Sequence, residues 1–296
     1  MKILLLGPTG QVGWELQRSL AVLGDVTALG RQSTPHGADF ADPEAVAHTV
    51  RALRPDVIVN AAAHTAVDKA EAEPDLAQRL NATTPGVLAR EAAALDALLV
   101  HYSTDYVFDG SGSTARAESA ATAPLSVYGR TKLEGERAIA ESGCRHLIFR
   151  TSWVYAARGG NFAKTMLRLA QERDRLTVIA DQWGAPTGAD LIADVTAHAI
   201  RHVQHAPQDL GLYHLVASGE TCWHAYAQFV IDTARRLRPE LPIQATEIAA
   251  VPTSAFPTPA ARPLNSRLDT SLLQARFGLR LPDWQQGVTR MLQEIL

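Results

Sequence analysis

The pattern at the start of the chain fits few folds. Ile3 to Leu6 is a short unbroken apolar run, Gly7-Pro8-Thr9-Gly10-Gln11-Val12-Gly13 follows it, and from Trp14 to Leu23 apolar residues recur at helical spacing. Such a run fits a strand buried on both faces, as in a parallel sheet covered by helices. The three glycines divide the work of the turn. Gly7 permits a tight exit, Gly10 lets backbone approach a pyrophosphate, and Gly13 lets the helix pack closely on the strand, with the helix N-terminus facing the anion. Alone, a Gly-x-x-Gly-x-x-Gly also suits an ordinary loop. Between a buried strand and a helix it predicts a dinucleotide held by Gly7, Thr9, Gly10, Gln11, Val12 and Gly13.

The alternation continues. Val26 to Leu29 reads as the second strand, and the residues at its end should meet the adenosine ribose. They are Gly30-Arg31-Gln32-Ser33, with no carboxylate to pair with two free ribose hydroxyls, while Arg31 and Ser33 suit a 2′-phosphate. NADPH is therefore the expected cofactor, with NADH as a second acceptable form. Asp39 and Phe40 offer a carboxylate and a ring for the adenine, or simply an acidic residue ahead of a helix. Pro43 to Leu53 reads as that helix, and Val57 to Asn60 as a buried strand running into Ala61-Ala62-Ala63-His64-Thr65, small residues on which a flat cofactor can lie. His64 has no partner at metal spacing and reads as a structural imidazole. A helical pattern from about residue 75 to 95 leads to a strand over Leu98 to Ser103, which delivers Ser103, Thr104 and Asp105 to the carboxyl end of the sheet. Residues 109–124 read as a loop, Tyr128 to Ser142 as a helix, and His146 to Arg150 as a strand ending in Thr151-Ser152-Trp153. The fold class is α/β, a Rossmann-like doubly wound parallel sheet.

On the helix after the loop, Tyr128 and Lys132 stand four residues apart and share one face. A phenol has an ordinary pKa near ~10, and an ammonium at ~4 Å with an effective dielectric of ~20 would favour the phenolate by up to ~4 kcal/mol. That combination predicts a tuned general acid, with Thr104 placed to hydrogen-bond the carbonyl oxygen that Tyr128 protonates. Tyr-x-x-x-Lys alone also describes a tyrosine packed under a solvated lysine. Its meaning here comes from its position after the glycine turn and the Ser103-Thr104 pair.

In that order the three features resemble the extended short-chain dehydrogenase/reductase superfamily. Within it, the chain is similar over essentially its whole length to the dTDP-4-dehydrorhamnose reductase family. The resemblance is carried by Val59-Asn60-Ala61-Ala62-Ala63-His64-Thr65-Ala66-Val67-Asp68, His101-Tyr102-Ser103-Thr104-Asp105-Tyr106-Val107-Phe108, Arg150-Thr151-Ser152-Trp153-Val154-Tyr155, Asp181-Gln182-Trp183-Gly184-Ala185-Pro186-Thr187 and Arg262-Pro263-Leu264-Asn265-Ser266. It implies a catalytic triad of Thr104, Tyr128 and Lys132. It further implies a cofactor wall of Gly10 to Val12, Ala62, Ala63, His64, Thr65, Tyr102, Tyr128 and Lys132, and a sugar nucleotide touched by Thr104, Asp105, Tyr128 and Trp153. The implied reaction is NAD(P)H-dependent reduction of the C4 ketone of dTDP-4-dehydro-L-rhamnose, the last step of dTDP-rhamnose biosynthesis for cell-surface polysaccharide. Gly30 departs from the acidic residue that some relatives carry. The alternatives are a sugar-nucleotide epimerase or dehydratase, although dehydratases carry Glu where this chain has Tyr106, and a non-catalytic regulatory subunit.

The resemblance divides the chain into a dinucleotide-binding domain over 1–151, to which later segments return, and a mainly substrate-binding domain over 152–296. Helices are expected over Asn161 to Arg173, Asp190 to Val203 and Trp223 to Arg238, a strand over Leu212 to Val216, and an extended wrap over Pro252 to Pro263. Trp183, Trp223 and Trp284 read as core, and Arg262 and Arg267 as either diphosphate ligands or carboxylate partners. The resemblance also suggests a homodimer bridged by Mg²⁺ on Glu15, Asp190 and Glu294, though no residue spacing indicates a metal. With 28 Lys+Arg against 31 Asp+Glu and no long charge run, neither nucleic acid nor a membrane is expected as partner. Two distant cysteines, Cys144 and Cys222, and the lack of an apolar signal-peptide core fit the cytoplasm.

Overall fold

The computed structural model describes residues 1–296, and its first half repeats one unit of buried strand, turn and helix. The elements are β1 (Lys2–Leu6), α1 (Gln11–Leu20), β2 (Asp25–Leu29), α2 (Pro43–Leu53), β3 (Val57–Asn60), α3 (Val67–Ala72), α4 (Pro74–Gln78), α5 (Thr84–Leu95), β4 (Leu98–Thr104), α6 (Val127–Glu141) and β5 (His146–Thr151). Every residue of β3 and β4 is buried, as an unbroken apolar strand requires when helices cover both faces of a sheet.

The second half is built from shorter pieces. They are β6 (Val154–Tyr155), α7 (Phe162–Glu172), β7 (Arg175–Ile179), β8 (Trp183–Gly184), β9 (Thr187–Gly188), α8 (Ala189–Val203), β10 (Gly211–His214), β11 (Thr221–Cys222), α9 (Trp223–Leu237), β12 (Glu247–Val251), α10 (Ser271–Phe277) and α11 (Trp284–Ile295). The main sheet runs β10-β5-β4-β3-β1-β2, with all pairs parallel. Because β1 pairs with both β2 and β3, the strand order reverses there. A crevice opens at such a switch point, outside the carboxyl ends of the strands.

One face of the sheet is covered by α1, α8 and α10, the other by α2, α5 and α6. Thus α8, β10 and α10, all late in the chain, complete the first sheet. In the second half, α7, α9 and α11 form a smaller apolar cluster of their own, joined by the β7/β12 pair. No helix is long and apolar enough to cross a membrane.

The structure differs from the sequence reading in three places. The helix expected over 75–95 is interrupted by a π-helical turn at Arg79–Thr83, where Gly135 of α6 comes so close that an added Cβ would lie 2.2 Å from the Asn81 carbonyl oxygen. The helix expected from Trp14 starts at Gln11, directly after Gly10, so that Gly13 lies in its first turn, and it leaves Trp14 at the surface under Arg158. Trp183, read as core, is at the surface with the Arg267 guanidinium 4.8 Å above its ring, whereas Trp284 is buried.

Candidate active site

Gly7 has φ +82°, a conformation that L side chains rarely adopt, and a Cβ there would meet the Ala62 backbone nitrogen at 2.8 Å. At Gly13 a Cβ would lie 2.0 Å from the Gly7 carbonyl oxygen, so this glycine closes the turn onto the helix. Gly10 is different: a Cβ would find only the Gly7 oxygen, at 3.7 Å, which leaves this backbone open toward the crevice. Two adjoining clefts meet here. One, of about 330 Å³, is lined by Gly7, Thr9, Gly10, Arg31, Asp39, Phe40, Ala62 and Ala63 among others. The other, of about 420 Å³, is lined by Gly10, Gln11, Val12, Ala61 to Ala63, Thr65, Tyr102, Ser103, Tyr128, Lys132 and Thr151 to Val154.

In the first cleft the Arg31 guanidinium lies 3.2 Å from the Asp39 carboxylate, with most of its surface exposed. The sequence reading assigned these two residues to separate tasks, and the structure pairs them. The Ser33 hydroxyl accepts a hydrogen bond from the Gly30 N–H at 2.9 Å and so shapes the loop. Phe40 is buried and presents a wall rather than a free platform.

The second cleft is walled by Tyr128 and Lys132 of α6. Helix α6 begins with two caps: the Ser126 hydroxyl accepts from the Gly129 N–H at 3.2 Å, and the Glu71 carboxylate accepts from the Val127 N–H at 2.7 Å. Gly129 allows α6 to touch the preceding segment, since a Cβ would lie 2.2 Å from the Tyr106 carbonyl oxygen. One turn after Lys132, Glu136 grips Arg150 of β5 through two hydrogen bonds of 2.9 and 2.6 Å, both groups buried. Tyr128 and Lys132 thereby reach one cleft wall on a helix fixed at its start and again one turn past Lys132.

Their electrostatics depart from the expected tuning. Burial pushes the Tyr128 phenol up to about 12, with the Thr104 hydroxyl pulling down and the Asp105 charge pushing up. Lys132 takes no part in this. Its Nζ lies 2.5 Å from the Tyr102 carbonyl oxygen and 3.1 Å from His101 Nε2, and burial lowers its own pKa to about 8 against the opposing pull of Glu136. Helical spacing places the two side chains on one face, but strand β4 lies beneath them and engages the lysine.

Thr104 and Asp105 follow Ser103 at the end of β4 but are buried and line neither cleft. The Thr104 hydroxyl donates to Asp105 Oδ1 at 3.0 Å and accepts from the Tyr106 N–H at 3.2 Å. Asp105 is pushed up to about 6 by burial, with Ser266 and Thr104 hydroxyls pulling down, and its Oδ2 has no partner. Ser103 Oγ, Thr151 Oγ1 and Ser152 Oγ are buried and unpartnered as well. The last three lie on residues that line the cleft, and a ligand with polar edges would satisfy them. Trp153 has φ +49° and is stacked on Trp223, with ring centroids 3.6 Å apart.

Several expected residues lie elsewhere. His64 is buried, 3.5 Å from the Glu73 carboxylate, and its side chain lines neither cleft. Its backbone is held by Asn81, which accepts from the His64 N–H at 2.8 Å and donates to the His64 oxygen and to Thr131 of α6 at 3.1 Å each. Arg262 forms a two-point pair with Asp68 at 3.0 and 2.7 Å, and Arg267 lies 2.5 Å from Glu220, so carboxylates take both arginines. Glu15, Asp190 and Glu294 do share one cleft, but Glu15 faces Arg18, Asp190 faces Arg290, and no three acidic, His or Cys groups come close enough to hold a metal. The sequence reading overlooked Asn81, Glu71 and His101. Asn81 sits where a helical pattern carries a polar residue toward a buried face, the one signal that would have marked it.

A switch-point crevice with a glycine turn on one side and a Tyr-x-x-x-Lys helix on the other defines an extended short-chain dehydrogenase/reductase. The model of the RmlD substrate binding domain matches residues 1–296. A dTDP-4-dehydrorhamnose reductase of Shigella flexneri is 61% identical over 295 residues, covering 100% of this chain and 98% of that protein. Among solved structures, a dTDP-4-dehydrorhamnose reductase of Clostridium acetobutylicum superposes with TM-score 0.88 at 34% identity, covering 100% of this chain and 99% of the other. Another, of Bacillus anthracis in complex with NADP, gives 0.87 at 32% identity and 99% coverage of both chains. The chain belongs to the dTDP-4-dehydrorhamnose reductase family.

Proposed function

We propose that this protein reduces the C4 ketone of dTDP-4-dehydro-L-rhamnose to dTDP-L-rhamnose with a reduced nicotinamide cofactor, NADPH in preference to NADH. The supporting observation is that Tyr128 and Lys132 share one cleft wall with the open backbone of Gly10 and the unpartnered hydroxyls of Ser103, Thr151 and Ser152. This stands in a chain that matches reductases of the family from end to end.

The cofactor would be held by the glycine turn, the Ala61 to Ala63 backbone and Thr65, with Arg31 at the adenosine end. When bound, it supplies the hydride that goes to C4. Tyr128, held protonated at neutral pH, gives its proton to the oxygen at C4, a transfer worth ~10² to 10⁴ in rate. Thr104, bonded to Asp105 and Tyr106, orients that oxygen, while the unpartnered Asp105 Oδ2 and the Trp153 ring serve the sugar. Lys132, which lines the same cleft, serves the cofactor ribose. Tyr106 stands where a dehydratase would need a carboxylic acid, which argues against the elimination chemistry of the alternative. Loss of nicotinamide absorbance on adding dTDP-4-dehydro-L-rhamnose and NADPH to the purified protein is the expected result. Absence of turnover with either reduced cofactor would return the chain to the epimerase or regulatory reading.

A further inference from the structure

Behind Lys132 lies a buried polar chain that the reaction does not account for. Asn60, His101 and Lys132 are each at most 2% exposed. Asn60 Oδ1 accepts from the Ala62 N–H at 3.0 Å, which fixes the amide so that Nδ2 faces His101 Nδ1, also at 3.0 Å. Nδ1 is then the acceptor, and the neutral ring carries its proton on Nε2. Yet Nε2 lies 3.1 Å from Lys132 Nζ, and an ammonium has donors only. An N–H cannot donate to an ammonium, so this arrangement is complete only if Lys132 is a neutral amine. A charged Lys132 in this place requires the proton on Nδ1, Asn60 turned over to accept it, and the Ala62 N–H released.

We propose that His101 is a positioning residue of this reductase, whose tautomer couples the charge of Lys132 to the orientation of the Asn60 amide and hence to the Ala62 N–H in the cofactor-facing loop. The proton exchanges with solvent as Lys132 titrates, and the ring itself stays neutral throughout. Burial, then the Lys132 charge, keeps the His101 pKa far below its ordinary value, which excludes an imidazolium as the third possibility. Lys132 is the group that titrates near neutrality. The other charged groups bearing on the chain are Glu136, one turn along α6, and Arg150 of β5, which holds it. From β3 the neutral Asn60 hydrogen-bonds the ring.

This inference rests on the reductase reading for its consequence, but its first test does not need turnover. In ¹⁵N-histidine spectra of the wild-type protein without substrate, His101 should pass from the Nδ1–H to the Nε2–H tautomer as pH rises through the Lys132 titration, and the Ala62 amide resonance should move in step. A single tautomer over the whole range, or an Ala62 amide that ignores the transition, would overturn it. In His101→Gln the side-chain carbonyl can accept from a charged Lys132 without any tautomer exchange. The alkaline limb of kcat/KM should then rise by ~1 pH unit, and the pH response of Ala62 should vanish. An unmoved limb in a variant that binds NADPH normally also overturns the proposal.

Discussion

At the scale of the residue, Tyr128 is the proposed acid, and burial keeps its proton in place. Tyr128→Phe should lower kcat by ~10²-fold or more with little change in the Kd for NADPH; turnover near the wild-type rate would mean that the proton comes from elsewhere. Asp105 gives a pH dependence whose sign follows from its burial. A carboxyl raised from 3.8 to about 6 favours the folded state while protonated, so that contribution is complete below about 4 and lost as pH rises through about 6. Asp105→Asn removes this loss. It should be more stable than the parent near neutral pH by up to ~3 kcal/mol, and the gap should close near pH 4, as read by urea unfolding at the two values. At the adenosine end, Arg31 is exposed and shared with Asp39, so Arg31→Ala should lower kcat/KM for NADPH by ~10-fold and leave NADH nearly unchanged. Equal losses with both cofactors would assign Arg31 to the adenine instead. The places of Thr104 and Arg31 at strand ends and of Tyr128 on its helix were legible in the sequence, because apolar runs and helical spacing mark those elements. The environment of Lys132 was not. Spacing reports which side chains share a helix face, and nothing in it reports that His101 and the Tyr102 carbonyl of a neighbouring strand occupy the space the lysine points into.

At the scale of the element, α6 is the part most tightly constrained by what it touches. Gly129 lies against the Tyr106 carbonyl and Gly135 against that of Asn81, so a side chain at either position must push the helix away from the cleft wall. Gly129→Ala should cost ~1 to 3 kcal/mol of stability and reduce kcat disproportionately to any change in cofactor KM, because the neighbouring Tyr128 moves with the backbone. Wild-type kinetics in a destabilised variant would show that the helix and Tyr128 shift independently. A sequence reader sees the helix 128–142 and its ends within a residue, since apolar period and flanking Ser and Gly mark them. The π turn at Arg79–Thr83 is invisible at that level. It arises where α6 presses on the chain through Gly135, and there Asn81 ties the cofactor-facing loop to the catalytic helix.

At the scale of the whole molecule, the first five strands of the sheet could be read in order because each is a short, mostly apolar segment closed by a turn signal. The later strands of two residues carry no period at all, and β10 reads as a strand without showing which sheet it joins. Its place beside β5 has an energetic consequence. Of the 23 buried residues on the α1/α8 face, 12 come from beyond residue 151: Ile192, Ala193, Val195, Ala197, Ala199, Ile200, Val203, Tyr213, Leu215, Leu273, Phe277 and Leu281. A fragment ending at 151 would keep the glycine turn, β1 to β5 and the whole opposite face, yet expose Ile3, Leu5, Val57, Val59, Val100 and Phe149 to water. At ~1.5 to 3 kcal/mol for each large apolar side chain left exposed, the six together lose ~9 to 18 kcal/mol, as much as the ~5 to 15 kcal/mol of net stability typical of a domain. Residues 1–151 produced alone should therefore fail to unfold cooperatively in urea and should not bind NADPH. Adding back 152–296 in trans should restore both, because α8 and β10 bring the missing half of that face. Cooperative unfolding of the short fragment would show instead that the dinucleotide-binding half is an independent domain, and that α8 and α10 only dress a core already complete.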